Sequence, residues 1–284
     1  MNLKNLPIGV FDSGFGGLTV AREIFRNLPD ERIIYYGDTA RVPYGNKSAE
    51  TIIRYSKQII NFLISKGVKA IVIACNTASA LALDAVQEIT DIPIIGVVKP
   101  GAEAAVQESV SKRIGIIGTS ATIGSGLYDR YIQELLPDAK VFGKACPLFV
   151  HLVEEGMIDD PVTVEMIHRY LDDMIRQNNI DTLILGCTHY PLLRSTIARE
   201  IGGTYADSQD PGADTASAIK LVNPAYTTAK ALARLLEEQN LAADIPAAPS
   251  EHQFYVSDGP ENFRSFASKV LNMQIEKVNL QVLQ

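Results

Sequence analysis

The sequence holds only three cysteines among its 284 residues, and neither their number nor their spacing suits the common structural uses of this residue. An odd number of cysteines, in a chain whose first residues form no signal-peptide core, is not typical of a disulfide framework. No CxxC or HxxxH pair is present, so the spacing does not predict a zinc site. We therefore expect a cytosolic protein whose functional cysteines act as free thiols.

The sequence also lacks long apolar runs and an excess of basic residues. No apolar stretch approaches the ~18–20 residues that a membrane helix needs, so we expect a soluble protein with no membrane partner. The net charge is −7, and the few lysines and arginines are scattered along the chain. This distribution does not predict a nucleic-acid partner.

Two short stretches, residues 68–79 and 180–191, resemble each other closely. Each is an apolar run that ends in alanine or glycine, then a cysteine, then small polar residues. An uninterrupted run of this kind predicts a strand buried on both faces of a parallel sheet. Cys75 and Cys187, 112 positions apart, would then lie at the carboxyl ends of their strands, where open α/β sheets bind ligands.

The two stretches belong to a longer repeat. Strand and loop landmarks of the first half recur in the same order in the second, at offsets of about 106 to 112. The pattern predicts an α/β fold of two homologous domains, each a mostly parallel sheet flanked by helices, with the active site in the cleft between them. A chain of this length suits two domains. We expect residues 1–98 plus 210–284 to form the first domain and residues 99–209 the second.

The last part of the chain has no counterpart in the repeat. We expect a strand at 203–206 that matches the strand at 92–98, then a long helix over 214–239. A strand at 253–256 and a helix at 261–271 should follow and pack back on the first domain.

Two loops follow predicted strands of the first domain. The Gly-rich turn at 12–17 is not a dinucleotide or Walker motif. It either lets the backbone approach a bound anion or is a tight turn that needs glycine for a positive φ. The loop at 38–45 is rich in polar and turn residues and also ends a strand.

Two thiols that face each other across a cleft could remove a proton from one side of a substrate carbon and return one to the other. Each sulfur would lie roughly 3.5 Å from that carbon, and the two sulfurs about 7 Å apart. A disulfide needs Cβ atoms about 4 Å apart, so this separation excludes one. One cysteine must be a thiolate while the other is a thiol.

Neighbouring groups must set the charge of each thiol. Asp12 ends the first strand and could take a proton from Cys75 or orient it, and His189 could act in the same way on Cys187. Small polar side chains at the strand ends could hold carboxylates as neutral donors; they are Ser13, Asn76, Thr77, Thr119, Thr122 and Thr188.

Other candidates have ordinary explanations. Cys146 is expected to be a small buried apolar residue. His151, His168 and His252 should be surface or packing residues, and the pair Glu154–Glu155 should be solvated on a helix.

At these residues the sequence resembles the glutamate racemases, cofactor-independent members of the aspartate/glutamate racemase superfamily. The resemblance runs almost end to end. Its motifs are the segments 11–19, 36–45, 74–79, 118–125, 145–150 with 152–156, and 185–191.

The resemblance implies interconversion of L- and D-glutamate without pyridoxal phosphate, another cofactor or a metal, to supply D-glutamate for bacterial peptidoglycan. It implies that Cys75 and Cys187 act on opposite enantiomers and that Glu154 assists the second thiol. It also implies a homodimer. The implied substrate contacts are Asp12, Ser13, Tyr44, Gly45, Asn76, Thr77, Thr188 and His189, with Thr119 and Thr122 as secondary contacts.

Two alternatives remain open from the residues. The same two-thiol chemistry would serve a racemase of aspartate or a related acidic amino acid. A non-catalytic ligand-binding relative would keep the fold, but a binder needs neither thiol.

Overall fold

A computed structural model describes residues 2–205 and 219–283. In chain order, the strands of the described residues are β1 (Ile8–Asp12), β2 (Ile33–Gly37), β3 (Ala70–Ile73), β4 (Ile94–Gly96), β5 (Arg113–Gly118), β6 (Lys140–Ala145), β7 (Thr182–Gly186), β8 (Gly203–Tyr205), β9 (Ile219–Val222), β10 (Gln253–Val256) and β11 (Asn279–Leu280). The helices are α1 (Leu18–Asn27), α2 (Ala49–Ser65), α3 (Asn76–Gln87), α4 (Val98–Glu108), α5 (Ser120–Gly124), α6 (Leu127–Leu135), α7 (Leu148–Glu154), α8 (Pro161–Asn178), α9 (Arg194–Ile201), α10 (Pro224–Glu238) and α11 (Pro260–Leu271).

The strands form two sheets whose pairs are all parallel. The first sheet has the order β11-β10-β2-β1-β3-β4, and the second has the order β6-β5-β7-β9-β8. The chain divides into two compact units, residues 1–97 with 228–284 and residues 98–227. The α/β class and its parallel sheets are therefore confirmed.

Both faces of the first sheet are covered, which explains the continuous apolar runs in its sequence. Phe11 and Ile73 belong to a buried cluster that also contains residues of α2 and α3, including Ile59 and Ala82. On the other side, Tyr35 packs its ring against Phe263 of α11, with centroids 5.5 Å apart. Burial on both faces fixes the register of the central strands, because a shift of one residue would exchange the faces.

Several elements lie where the sequence predicted them. Helix α2 begins after Ser48, whose hydroxyl accepts a hydrogen bond from the Thr51 amide as an N-cap. The strand at 253–256 does return to the first sheet, where it pairs with β2. No helix of the described residues has the length and apolar character that crossing a bilayer requires.

The tail departs from the prediction in one place. Residues 219–222 were expected inside a helix over 214–239, but they form β9, and α10 begins only at Pro224. The apolar side chains of β9 are buried beside β7. Asn223 accepts a hydrogen bond from the Ala225 amide at 3.1 Å, and a proline at the first helical position restarts the chain as a helix. Residues 214–218 of that predicted helix lie outside the described residues.

Strand β9 also changes two further expectations. It occupies the position beside β7 that β4 occupies beside β3, so β8 is an additional edge strand and not the counterpart of the strand at 92–98. Because β9 pairs in the second sheet, the chain divides at Thr228 and not at residue 210.

A buried ion pair in the first unit generates a prediction about stability. The Lys69 ammonium contacts the Glu31 carboxylate, and the two side chains are only 1% and 3% exposed. Replacing Glu31→Gln should lower the free energy of unfolding by about 3–5 kcal/mol, because a buried ammonium would lose its counter-charge. Urea unfolding followed by circular dichroism measures this change.

Glu165→Gln is the control, because Glu165 pairs with Arg169 on the surface, where both side chains are more than half exposed. This variant should unfold almost as the unaltered protein does. Equal losses in the two variants would contradict the assignment of Lys69–Glu31 as a buried ion pair whose charges compensate each other.

Candidate functional site

The carboxyl edge of the first sheet brings one group of predicted residues together. Asp12 is level with Gly37 in the neighbouring strand, and Phe11 is level with Ile73. The pairing continues past the strand ends, since the Ala74 amide donates to the Phe11 carbonyl at 2.8 Å. Cys75 therefore follows at the same edge as Asp12.

The Cys75 thiol lies at the start of a helix. Cys75 is the N-cap of α3, and its Sγ accepts a hydrogen bond from the Ala78 amide at 3.5 Å. The same sulfur donates to the Ser13 hydroxyl at 3.6 Å. The unpaired amides and the dipole of a helix N-terminus stabilise negative charge, so this position favours a thiolate. The predicted contacts Asn76 and Thr77 lie in the first turn of α3 and are buried.

Asp12 is fully buried and helps to shape the Gly-rich turn. Its carboxylate accepts a hydrogen bond from the Gly14 amide at 3.0 Å, and the Tyr35 hydroxyl donates to the Gly14 carbonyl at 3.0 Å. Burial, together with the negative charges of Asp12 and Cys75, raises the pKa of Tyr35 well above its ordinary value. The tyrosine therefore remains a neutral donor beside the carboxylate.

Gly17 of this turn is required for close approach and not for an unusual backbone angle. Neither Gly14 nor Gly17 has a positive φ, so that explanation of the turn is wrong. A Cβ on Gly17 would lie 2.4 Å from the Asp12 Cβ and 2.8 Å from the Tyr35 hydroxyl. Any side chain here would displace Asp12.

The loop at 38–45 is held by the carboxylate of Asp38, which was not among the predicted site residues. Asp38 is fully buried and accepts hydrogen bonds from Arg41 Nε at 2.7 Å and from the Tyr44 hydroxyl. Tyr44 is itself buried, and its hydroxyl is already engaged with Asp38. A contact of this loop with a substrate would therefore use the backbone of Tyr44 and Gly45. The position of Asp38 directly after a central strand was the sequence signal for it.

The carboxyl edge of the second sheet repeats this arrangement with different residues. Gly118 is level with Gly186, so Thr119 and Cys187 follow their strands at the same edge. Thr119 caps α5 by accepting from the Thr122 amide at 3.2 Å, and the two hydroxyls lie 2.9 Å apart. Cys187 and Thr188 are nearly buried. No α-helix begins at Cys187, which is followed by a 3-10 turn at Tyr190–Leu192.

The Cys187 thiol lies next to the imidazole of His189, which in turn contacts the carboxylate of Glu154. Its Sγ lies 3.8 Å from His189 Nδ1, and His189 Nε2 lies 3.0 Å from a Glu154 carboxylate oxygen. Burial alone would lower the pKa of His189, but the hydrogen bonds to Cys187 and Glu154 outweigh it and raise this pKa to about 10. A protonated imidazole donates from both nitrogens, so the charged ring suits both partners. Glu154 is thus bonded to His189 and is not only a solvated surface residue.

The remaining candidates fit their ordinary explanations. Cys146 is fully buried, and burial together with the nearby Cys187 charge raises the pKa of its thiol, which therefore stays protonated. His168 is exposed beside Asp172, and His252 packs its ring against Phe25. The described residues contain no group of three or more His, Cys, Asp or Glu that could hold a metal ion.

The protein therefore has an α/β fold with two parallel sheets, and a buried cysteine outside any disulfide follows a central strand of each sheet. A sequence profile of the family described as Asp/Glu/Hydantoin racemase matches residues 8–216. The chain belongs to this family.

Individual relatives are similar along most of their length. A glutamate racemase of Geobacter metallireducens is 44% identical over 271 residues, which span 95% of this chain and 94% of the relative. A glutamate racemase of Sulfurihydrogenibium is 58% identical over 193 residues, or 68% of this chain and 74% of the relative. Among solved structures, a glutamate racemase of Francisella tularensis in complex with D-glutamate is 39% identical, with a TM-score of 0.87 over 99% of each chain.

The His189 pair generates a prediction about titration. In an NMR titration, the ring of His189 should change charge near pH 10, whereas that of His252 should do so below its ordinary 6.5, because burial lowers its pKa. Since the folded-state pKa of His189 is raised, its contribution to stability should be complete below about pH 6.5 and fade as the pH rises through 10.

Variants identify the cause of this shift. Cys187→Ala and Glu154→Gln should each lower the pKa of His189, because each removes a group that stabilises the charged ring. Cys146→Ala should leave the pKa almost unchanged. A ring of His189 that titrates near 6.5 in the unaltered protein would contradict the charged arrangement.

Proposed function

We propose that this protein is a cofactor-independent glutamate racemase, an isomerase that interconverts L- and D-glutamate through two cysteine acid/base groups. The observation that carries the proposal is the pair of buried, free thiols, each at the carboxyl end of a central strand and each with its own stabilising partner for negative charge. The names of the similar proteins support glutamate as the substrate.

The reaction requires one thiol on each face of the substrate Cα. A thiolate takes the α-proton, and the electron pair of the broken C–H bond is delocalised into the adjacent carboxylate. The opposite thiol then gives its proton to the other face of the carbon and becomes a thiolate. The roles of Cys75 and Cys187 exchange for the opposite enantiomer, so no net proton is consumed.

The two thiols are prepared for this task by different chemistry. At Cys75, the α3 N-terminus stabilises the thiolate, and the Ser13 hydroxyl orients the thiol form by accepting its hydrogen bond. Asp12 directly precedes Ser13, and its carboxylate is fully buried. We assign this carboxylate as the group that orients Cys75 or exchanges a proton with it. At Cys187, the charged His189 stabilises the thiolate and Glu154 holds the ring.

Neutral groups would hold the two carboxylates of glutamate. We assign this role to the backbone at Tyr44 and Gly45 and to small polar side chains at the strand ends; these are Ser13, Asn76, Thr77, Thr119, Thr122 and Thr188. Neutral donors can hydrogen-bond to the carboxylate oxygens of glutamate without adding a further fixed positive charge beside the two thiols.

We also propose a biological setting. A cytoplasmic location would keep the thiols reduced, and the three cysteines are free. D-glutamate made there would supply peptidoglycan synthesis and so cell wall biogenesis and cell shape. The assembly we propose is a homodimer that binds glutamate, with no nucleic-acid or membrane partner.

Deuterium exchange tests the activity directly. In D2O, the unaltered protein should incorporate deuterium at Cα of both L- and D-glutamate and lose optical rotation with either as substrate. Cys75→Ser and Cys187→Ser should each reduce racemisation at least about 100-fold, because an alcohol is a far weaker acid than a thiol.

Cys146→Ser is the matched control, since this thiol is buried and its protonated form hydrogen-bonds to the Lys144 carbonyl. It should racemise glutamate at close to the unaltered rate. Absence of deuterium exchange at Cα with both enantiomers of glutamate would contradict the proposal. Faster exchange of aspartate than of glutamate would reassign the substrate to aspartate, and binding without exchange would indicate a non-catalytic relative.

A further inference from the structure

A set of hydrogen bonds ties the loop at 38–45, here called the Asp38 loop, to the two residues that follow β10. Ser257 accepts a hydrogen bond from the Ala40 amide and donates one to Asp38 Oδ1, both at 2.9 Å. The Asp258 amide donates to the Thr39 hydroxyl at 2.8 Å, and that hydroxyl donates back to the Asp258 carbonyl. These contacts join residues that are more than 200 positions apart in the chain.

The Asp38 carboxylate accepts hydrogen bonds from residues along the loop and from Ser257. Its oxygens accept from Arg41 near the start of the loop, from Tyr44 near its end and from Ser257 outside it. Arg41 is in turn fixed by Gln58 of α2, at 2.6 Å, and lies over the Tyr55 ring at 4.0 Å. A fully buried carboxylate with this many partners has a single favourable arrangement, because each lost partner leaves a charged oxygen unsatisfied.

We propose that Ser257 is a positioning residue for substrate binding, because it holds Asp38 and thereby sets the backbone of Tyr44 and Gly45. The inference rests on the proposed function, in which that backbone contacts glutamate. Removal of the Ser257 hydroxyl deprives both Asp38 Oδ1 and the Ala40 amide of a partner. The loop then samples other arrangements, and binding must restore the productive one.

Positioning and simple structural support have different consequences. A contact that only stabilises the fold would change the melting temperature and leave the KM of the folded protein unaltered. A contact that positions the loop raises the KM for both enantiomers by the same factor, since the loop serves both, and leaves kcat nearly unchanged.

Linkage makes the effect reciprocal. If the order of the C-terminal segment favours substrate binding, bound substrate must favour the order of that segment. Saturating D-glutamate should therefore slow hydrogen exchange at the amides of Ala40 and Asp258 in the unaltered protein.

The experiment compares three serine variants by steady-state kinetics with both enantiomers. Ser257→Ala should raise both KM values by about tenfold or more, the order expected for the loss of one hydrogen bond to a charged group. Ser257→Thr keeps the hydroxyl and should restore most of the affinity. Ser65→Ala is the matched control, because this hydroxyl donates to the Phe62 carbonyl at the far end of α2, roughly 25 Å from the start of that helix.

The outcomes separate this inference from the function on which it rests. Absence of racemisation in the unaltered protein removes the proposed function and this inference together. Normal racemisation with unchanged KM in Ser257→Ala overturns the inference alone, as does an equal rise in Ser65→Ala. If Ser257→Ala does not fold, the hydrogen-exchange measurement on the unaltered protein tests the inference. Exchange rates at the Ala40 and Asp258 amides that do not change when D-glutamate is added would overturn it.

Discussion

The register between parallel strands is the constraint on which the rest of the structure depends. Hydrogen bonding sets Asp12 level with Gly37 in one sheet and Gly118 level with Gly186 in the other. Each central strand is buried on both faces, so no slip of one residue is tolerated. The reactive side chains of each unit can therefore follow their strands on short loops and still lie at the carboxyl edge of their own sheet.

The two units use this shared frame to stabilise negative charge in different ways. In the first unit, a helix begins directly after Cys75, and the backbone amides of its first turn stabilise the negative charge. In the second unit, no α-helix begins at Cys187. The His189 imidazole, hydrogen-bonded to the Glu154 carboxylate, stabilises the negative charge instead. Asp12 and Gly118 occupy equivalent positions in the repeat, as do Asp38 and Cys146. The two units share this strand framework but differ in the groups that surround each sulfur.

The sequence was sufficient for those features that depend on local pattern. Apolar runs identified both central strands, and the cysteines after them were recognised because their contexts match. The tail was harder, since the short apolar run of β9 is compatible with either a helix or a strand, and its pairing in the second sheet decides between them. Asn223 before a proline was an available clue to the start of α10. The position of Asp38 directly after a strand was visible in the sequence, but its hydrogen bond to Ser257 was not, because 219 positions separate the two residues and only the fold brings them together.

The first unit is assembled from both ends of the chain, and this has a consequence for its synthesis. Strand β2 pairs with β10, which leaves the ribosome more than 200 residues later. Until then, the β2 edge offers unpaired amides and carbonyls to any passing strand, a known route to aggregation. The intervening unit, residues 98–227, is continuous in sequence, so its strands β5 to β9 are all synthesised before β10. A nascent chain of this protein thus passes through a stage in which the second unit is fully synthesised while the first sheet still lacks β10 and β11, and chaperone protection would matter most there.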